Sequence, residues 1–180
     1  AGGTAAYINT YITNLVSNLK RDGQGLDITD QKNSGLGDLH VLLRFDLERA
    51  LISGDLAVDD LETAWNDRFA SDFGFAVDKP SNGVLQDVHW SVGLFGYFAT
   101  YSLGNVYAGC LNDAMRADLP NLDDTLEQGD PSQATDWLNE ALQRHGGLRE
   151  PRATIAHACS GVEPSEGPLL NYLEGKFSNF

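Results

Sequence analysis

The sequence predicts an all-α protein that forms an irregular, multi-helix single domain. Apolar residues recur at intervals of three and four along almost the whole chain, which is the spacing of one helix face. Gly and Pro interrupt these runs where helices are expected to end or begin. No β-hairpin pattern is found, and 180 residues with 42% apolar content are enough for a hydrophobic core.

In the first half of the chain, glycines mark the predicted helix ends. The stretch from Asp22 to Asp38 is polar and Gly-rich, which predicts a loop or junction. Asp59 or Asp60 can cap the predicted helix at 61–69, because a carboxylate accepts from free N–H groups at a helix start. The predicted helices cover 7–19, 39–51 and 61–69, and they end at Gly23, Gly54 and Gly74.

In the second half, prolines mark the predicted helix starts. Asp130 followed by Pro131 places a capping residue before a proline whose fixed φ suits the first helical turn. Earlier in this half, a short helix, a Gly-rich turn and a long helix are expected. The predicted helices are Leu85 to Trp90, Thr100 to Leu119, one from Pro131 that ends at Gly146 and Gly147, Pro151 to Ala158, and Pro168 to Phe177.

Composition excludes several classes of partner. The chain has 12 Lys and Arg against 26 Asp and Glu, a net charge of -14, so nucleic-acid binding is not expected. Residues 88–112 carry no charged side chain, but polar residues and glycines interrupt them, which favours buried helices over a membrane span. Cys110 and Cys159 stand alone, which predicts two buried thiols in a reducing cytoplasm.

No catalytic residue or metal ligand is predicted in this chain. A helical zinc site needs two ligands three or four residues apart, and none of the four histidines has such a partner. The sequence has no HExxH, no GxSxG and no P-loop. The acid pairs Asp59-Asp60 and Asp123-Asp124 are interpreted as helix-start residues.

One constellation of polar residues remains, and it has two interpretations. Residues 83–90 bring an amide, a carboxylate, an imidazole and an indole together, and Tyr97 and Tyr101 follow four residues apart. Such groups are costly to bury unless they bond one another or a ligand. A structural polar network and a ligand-facing site therefore stay open.

These residues carry a resemblance to a known family. Residues 83–90 are similar to the GxxQDxHW signature of the thermostable, Taq-type zinc carboxypeptidases, and FGYFATYSLGN at 95–105 resembles the segment that follows it. The segment HVLLRFDLE at 40–48 resembles the helix that precedes the signature. Residues 1–38 do not match, which predicts a foreign N-terminal helix and loop at 1–38 and a carboxypeptidase-like region at 39–180.

The resemblance implies roles for particular residues. Family members hold zinc, or sometimes cobalt, with HExxH and a downstream Glu, so this chain would supply only groups around the substrate. Arg44 would bind the C-terminal carboxylate of a peptide; the alternative is a pair with Glu48 on the helix surface. The implied substrate-binding residues are Gln86, Asp87, His89, Trp90, Tyr97, Tyr101 and Arg44.

Three hypotheses follow. In the first, the chain is a truncated, substrate-side part of a metallocarboxypeptidase, and it is inactive alone because HExxH is absent. In the second, a separate polypeptide carries the zinc motif of a working enzyme. In the third, the chain is a non-catalytic helical module that binds a partner or self-associates as a homodimer, covering exposed apolar surface.

Overall fold

The structure, a computed structural model, describes residues 28–86 and 88–177, with side chains from 40 onward to 175. These residues form helices and no strand, so the predicted all-α fold is confirmed. The predicted helix at 7–19 lies outside the described residues. The α-helices are α1 Ile28–Ser53, α2 Leu61–Phe73, α3 Ala99–Asp118, α4 Leu122–Glu127, α5 Ser132–Ala141, α6 Pro151–Ala158 and α7 Gly167–Phe177.

Several helix ends lie where glycine, proline and aspartate predict them. Gly54 and Gly74 follow α1 and α2 with φ of +81° and +77°, the left-handed conformation that ends helices. An Asp130 oxygen accepts from the Ser132 N–H, the first of α5, at 2.9 Å, while Pro131 holds the N-cap position. Asp60 occupies the N-cap position of α2, but its side chain makes no capping hydrogen bond.

The predicted loop at 22–38 is wrong over residues 28–38, because α1 already begins at Ile28. Glycine in a helix interior costs about 1 kcal/mol relative to alanine, so Gly35 and Gly37 weaken this helix without ending it. Extending an existing helix is much easier than starting a new one. The strongly helical stretch after residue 39 therefore continues toward the N-terminus.

The predicted helix from Leu85 to Trp90 is also wrong. Its described residues form turns and bends, between the short 3₁₀ turns Pro80–Asn82 and Trp90–Val92. Gly93 and Gly96 adopt φ of +79° and +77°, the left-handed conformation that glycine allows in turns. A helix of six residues has few internal hydrogen bonds, and these turns replace it.

The chain divides into two compact units, one formed by residues 29–102 and the other containing 103–177. The core of the first unit consists of Leu43, Leu47, Trp65 and Phe69. The second unit has a larger core, formed from α3 to α6, that includes Leu111, Met115, Leu138 and Ile155. The predicted boundary between residues 38 and 39 stays a prediction.

The uncharged stretch 88–112 does not form a membrane-length helix. Among the described residues, none of the helices is both long and apolar enough to cross a bilayer. The stretch instead contains irregular turns and then the first part of α3.

Cys110 and Cys159 are both buried and both free thiols, as the sequence predicts. They lie beside a pocket of about 330 Å³ in the second unit, which Asp113 and Glu163 also line. Burial, with a smaller contribution from the neighbouring Cys110 and Asp113, raises the pKa of the Cys159 thiol to about 11. Cys159 is therefore almost entirely protonated near neutral pH.

We expect alkylation of Cys159 by iodoacetamide to be slow at pH 7 and to keep accelerating well above pH 9. The thiolate is the reactive form, and an unperturbed thiol ionises near about 8.5, so a raised pKa moves the rise in rate to higher pH. Rates measured from pH 7 to pH 10 in a Cys110→Ala variant isolate Cys159. The same chain unfolded in urea is the control. A folded-state rate that levels off near pH 9 would contradict this expectation.

Candidate functional site

The candidate site lies in the first unit, where α1 and α2 contact the irregular segment 83–98. The segment starts at Gly83, which lies directly against the Trp65 indole. A Cβ at this position would lie 2.8 Å from Val77 Cγ1 and 3.3 Å from Trp65 Nε1. The first residue of the GxxQDxHW pattern is thus a glycine because the backbone must approach a buried tryptophan closely.

Arg44 is a buried anchor on α1. Its side chain is only 7% exposed, and its guanidinium carbon lies 4.7 Å from the centre of the Trp65 ring and 5.5 Å from that of Phe98. Nη1 donates to the His40 carbonyl at 3.0 Å, and Nη2 donates to Gln86 Oε1 at 3.2 Å. Arg44 therefore connects α1 to the first half of the signature segment.

His40 contacts the same guanidinium. Arg44 Nη1 lies 3.1 Å from His40 Nδ1, and because a guanidinium can only donate, this imidazole nitrogen must be the acceptor. Burial, followed by the positive charge of Arg44, lowers the pKa of His40. A neutral His40 is thus the form that the site requires and the form that its surroundings favour.

Glu48, one turn after Arg44, is a second buried anchor. Its side chain is 6% exposed, so neither member of the proposed Arg44–Glu48 surface pair lies at the surface. One carboxylate oxygen accepts from Trp90 Nε1 at 2.7 Å, and the other accepts from the Gly96 backbone N–H. From the sequence, Glu48 is predicted only as a possible partner of Arg44. Its spacing of four from Arg44, which places both on one helix face, is the signal that could have found it.

Three of the predicted site residues form one half-buried aromatic group. The His89 imidazole stacks on Tyr97, with ring centres 5.5 Å apart and an angle of 27°. His89 Nε2 lies 3.3 Å from the Tyr101 hydroxyl oxygen, and the Tyr97 and Tyr101 rings meet edge to face at 5.4 Å. We call His89, Tyr97 and Tyr101 the aromatic triad.

Trp90 and Phe98 pack against each other, and Phe98 contacts the triad. The Trp90 indole packs edge to face against Trp65 at 6.2 Å and Phe98 at 5.8 Å. Phe98 is buried and also contacts the His89 ring at 4.7 Å. Gln86 is exposed at the residue level while its side-chain oxygen accepts from Arg44. Asp87 lies outside the described residues.

The two interpretations left open by the sequence correspond to two layers of this site. The inner layer contains the buried Arg44 and Glu48, which bond Gln86 and the half-buried Trp90 across the fold. The half-buried layer is the aromatic triad, whose imidazole and hydroxyl groups can donate or accept hydrogen bonds. The second layer is the part with the chemistry for binding a polar ligand.

A metal centre does not fit the residues that the structure describes. Within 28–86 and 88–177, no group of three or more His, Cys, Asp or Glu side chains is placed to hold a metal ion. Zinc sites normally use three or four such ligands, so no chemical step is assigned to a metal in this part of the chain.

Solved structures show the class of this protein, and a family model then shows its family. Solved helical carboxypeptidases share this fold, among them the M32 carboxypeptidase of Deinococcus radiodurans R1, with a TM-score of 0.74 and 38% identity. That match covers 79% of this chain and 29% of that structure. The family model of the carboxypeptidase Taq (M32) metallopeptidases matches residues 37–177. The chain belongs to this family.

Curated relatives agree with the structural match. Carboxypeptidase 1 of Bacillus subtilis and thermostable carboxypeptidase 1 of Thermus thermophilus are each 38% identical to this chain over 141 residues. Each alignment covers 78% of this chain and 28% of the relative. The chain therefore spans only a little over a quarter of the length of these relatives. The family resemblance that residues 83–105 carry is confirmed.

Proposed function

We propose that this chain forms the substrate-side part of a metallocarboxypeptidase cleft, which in the family removes C-terminal residues from peptides. We further propose that the 180-residue chain does not hydrolyse peptides by itself. The observation that carries the proposal is the aromatic triad. It is half-buried, it lies in the family signature and the segment that follows it, and the sequence contains no HExxH.

The triad suits a peptide backbone. Peptide C=O and N–H groups need hydrogen-bond partners when they leave water. The Tyr101 hydroxyl and the His89 imidazole can each donate or accept, and their 3.3 Å separation lets one ligand atom contact both. The Tyr97 ring, stacked on His89, adds an apolar face for the peptide.

The remaining predicted residues would act from behind this surface. Trp90 packs on Phe98, which contacts the His89 ring, and Gln86 bonds Arg44 of α1. We assign Arg44 to bracing, because its burial and its bonds to His40 and Gln86 leave little of the guanidinium exposed. Binding of the peptide carboxylate by Arg44, and any role of Asp87, stay predictions.

We expect no release of C-terminal amino acid when the purified chain is incubated with N-acetylated trialanine and Zn²⁺ or Co²⁺. The described residues lack a metal-ligand set, and a water molecule without a metal is a poor nucleophile at neutral pH. The assay is amino-acid release, with a full-length family member as positive control. Turnover that is abolished by a chelator would overturn the proposed inactivity.

The same peptide tests the cleft itself. In NMR titrations, N-acetylated trialanine should shift the ring resonances of His89 and Tyr101, and Tyr101→Phe should weaken this binding. Tyr107→Phe, which lies in the second unit, is the matched control. Shifts that avoid the triad altogether would count against a substrate-side role.

Self-association is a second candidate, and the segment 85–95 favours it. Several large apolar side chains there are exposed by 43% or more. Apolar surface of this kind is often covered by another chain. The exposed apolar side chains of this segment are Leu85, Val88, Val92, Leu94 and Phe95. The homodimer and the cytoplasmic location both stay predictions.

A further inference from the structure

We propose that Glu48 is a positioning residue that fixes the turn 90–96 and thereby holds the aromatic triad in its binding arrangement. This inference rests on the proposed substrate-side function, since it assigns a cause to the geometry of the same site. Glu48 does not belong to the GxxQDxHW signature, and it lies 42 residues before Trp90 in the chain.

The two bonds of Glu48 reach the two ends of the turn 90–96. One reaches Trp90, which begins the turn and directly follows His89. The other reaches the Gly96 N–H, which ends the turn and directly precedes Tyr97. A single carboxylate thus bonds the residue that follows His89 and the residue that precedes Tyr97. One side chain of α1 therefore joins the two ends of the turn that separates the imidazole from the phenol.

Apart from the packing of the Trp90 ring on Trp65 and Phe98, the described contacts of the turn with the rest of the fold are those with Glu48. The internal hydrogen bonds of the turn are local, such as those from the Gly93 N–H to the Trp90 carbonyl and from the Leu94 N–H to the His89 carbonyl. Val92 and Phe95 point largely into solvent, with 62% and 51% exposure. Local bonds keep the turn closed, but they do not fix its orientation on α1.

Packing and charge both act on the Trp90 indole. The Trp90 ring packs on Trp65 and Phe98, which fixes its location, while the bond to Glu48 fixes the direction of its N–H edge. A buried carboxylate is costly unless donors compensate it, and bonds to an ionised acceptor are stronger than neutral ones. The two donors and the carboxylate therefore stabilise each other in one arrangement.

The experiment follows the tryptophan indole N–H signals by NMR in Glu48→Gln and Glu48→Ala. The chain offers a matched control, because Trp137 Nε1 donates to Asp118 at 2.7 Å in the second unit. Asp118→Asn should move only the Trp137 signal. Glu48→Ala should move the Trp90 signal and the His89 ring signals. It should also weaken the binding of N-acetylated trialanine on the order of tenfold, the effect of losing one hydrogen bond to a charged group.

The isosteric variant decides between positioning and general stability. In Glu48→Gln one amide oxygen can still accept from one donor, so the His89 signals and peptide binding should be partly restored relative to Glu48→Ala. If Glu48→Ala does not fold, Glu48→Gln alone still shows whether Trp90 and His89 move together. A moved Trp90 signal with unchanged His89 and Tyr101 signals would overturn the proposal. Failure of the unmodified chain to bind peptide would instead overturn the proposed function, while these resonances still test Glu48.

Discussion

Replacing Trp65 by Ala will lower the free energy of unfolding by about 3–5 kcal/mol, the usual cost of deleting a large buried aromatic side chain. Trp65 is 1% exposed and lies at the centre of the core of the first unit. Its ring also supports the Arg44 guanidinium at 4.7 Å and the edge of Trp90. The loss will therefore include contacts to the signature segment as well as burial. Urea unfolding followed by circular dichroism measures the change.

Trp65→Phe is the matched control. It keeps an aromatic ring beneath Arg44 and leaves a smaller cavity, so the loss should be clearly smaller than for alanine. The His89 and Tyr101 resonances should also stay closer to those of the unmodified chain. A Trp65→Ala loss below about 1 kcal/mol would show that the core can collapse around the site and that Trp65 does not support it.

Replacing Gly109 by Ala will destabilise the second unit by about 1–3 kcal/mol, although alanine is the better helix former. A Cβ at this position of α3 would lie 2.8 Å from the Leu169 backbone nitrogen and 3.0 Å from its Cα. These atoms belong to the backbone of α7, which cannot rotate away as a side chain can. Relief of the contact therefore requires displacement of α7.

Gly175→Ala makes the same substitution in α7, at a position where a Cβ would meet no heavy atom within 4 Å. It should stabilise the protein by about 0.5–1 kcal/mol through helix propensity and reduced freedom of the unfolded chain. The two variants thus have opposite expected signs in the same unfolding measurement. A stabilising Gly109→Ala would contradict the close packing of α3 on α7.

Local sequence signals predict the helices well where Gly, Pro or Asp marks an end. Helix α6 was predicted with the bounds Pro151–Ala158 that the structure has, because proline fixes its start. The wrong predictions occur where a glycine does not end a helix or where apolar residues do not form one. Gly35 and Gly37 lie inside α1, and the apolar residues of 85–90 belong to turns that are held by distant parts of the fold.

The candidate site was only partly predictable for a related reason. The signature segment and the spacing of Tyr97 and Tyr101 are local patterns, so the triad could be proposed from sequence. The bonds of Arg44 to Gln86 and of Glu48 to Gly96 join residues 42 and 48 positions apart. Periodicity contains no information about such pairs, so the burial of both charged residues could not be seen before the fold was known.

The Glu48 contacts also determine how freely the turn 90–96 can vary. Trp90 is bound through its side chain, whereas Gly96 is bound through a backbone N–H that every residue except proline has. The exposed positions between them, including Val92 and Leu94, make no side-chain bond to Glu48 among the described residues. A library with random residues at these positions should therefore retain the triad geometry in most members. The surface of this turn is a place where new recognition properties can be selected without disturbing the groups below it.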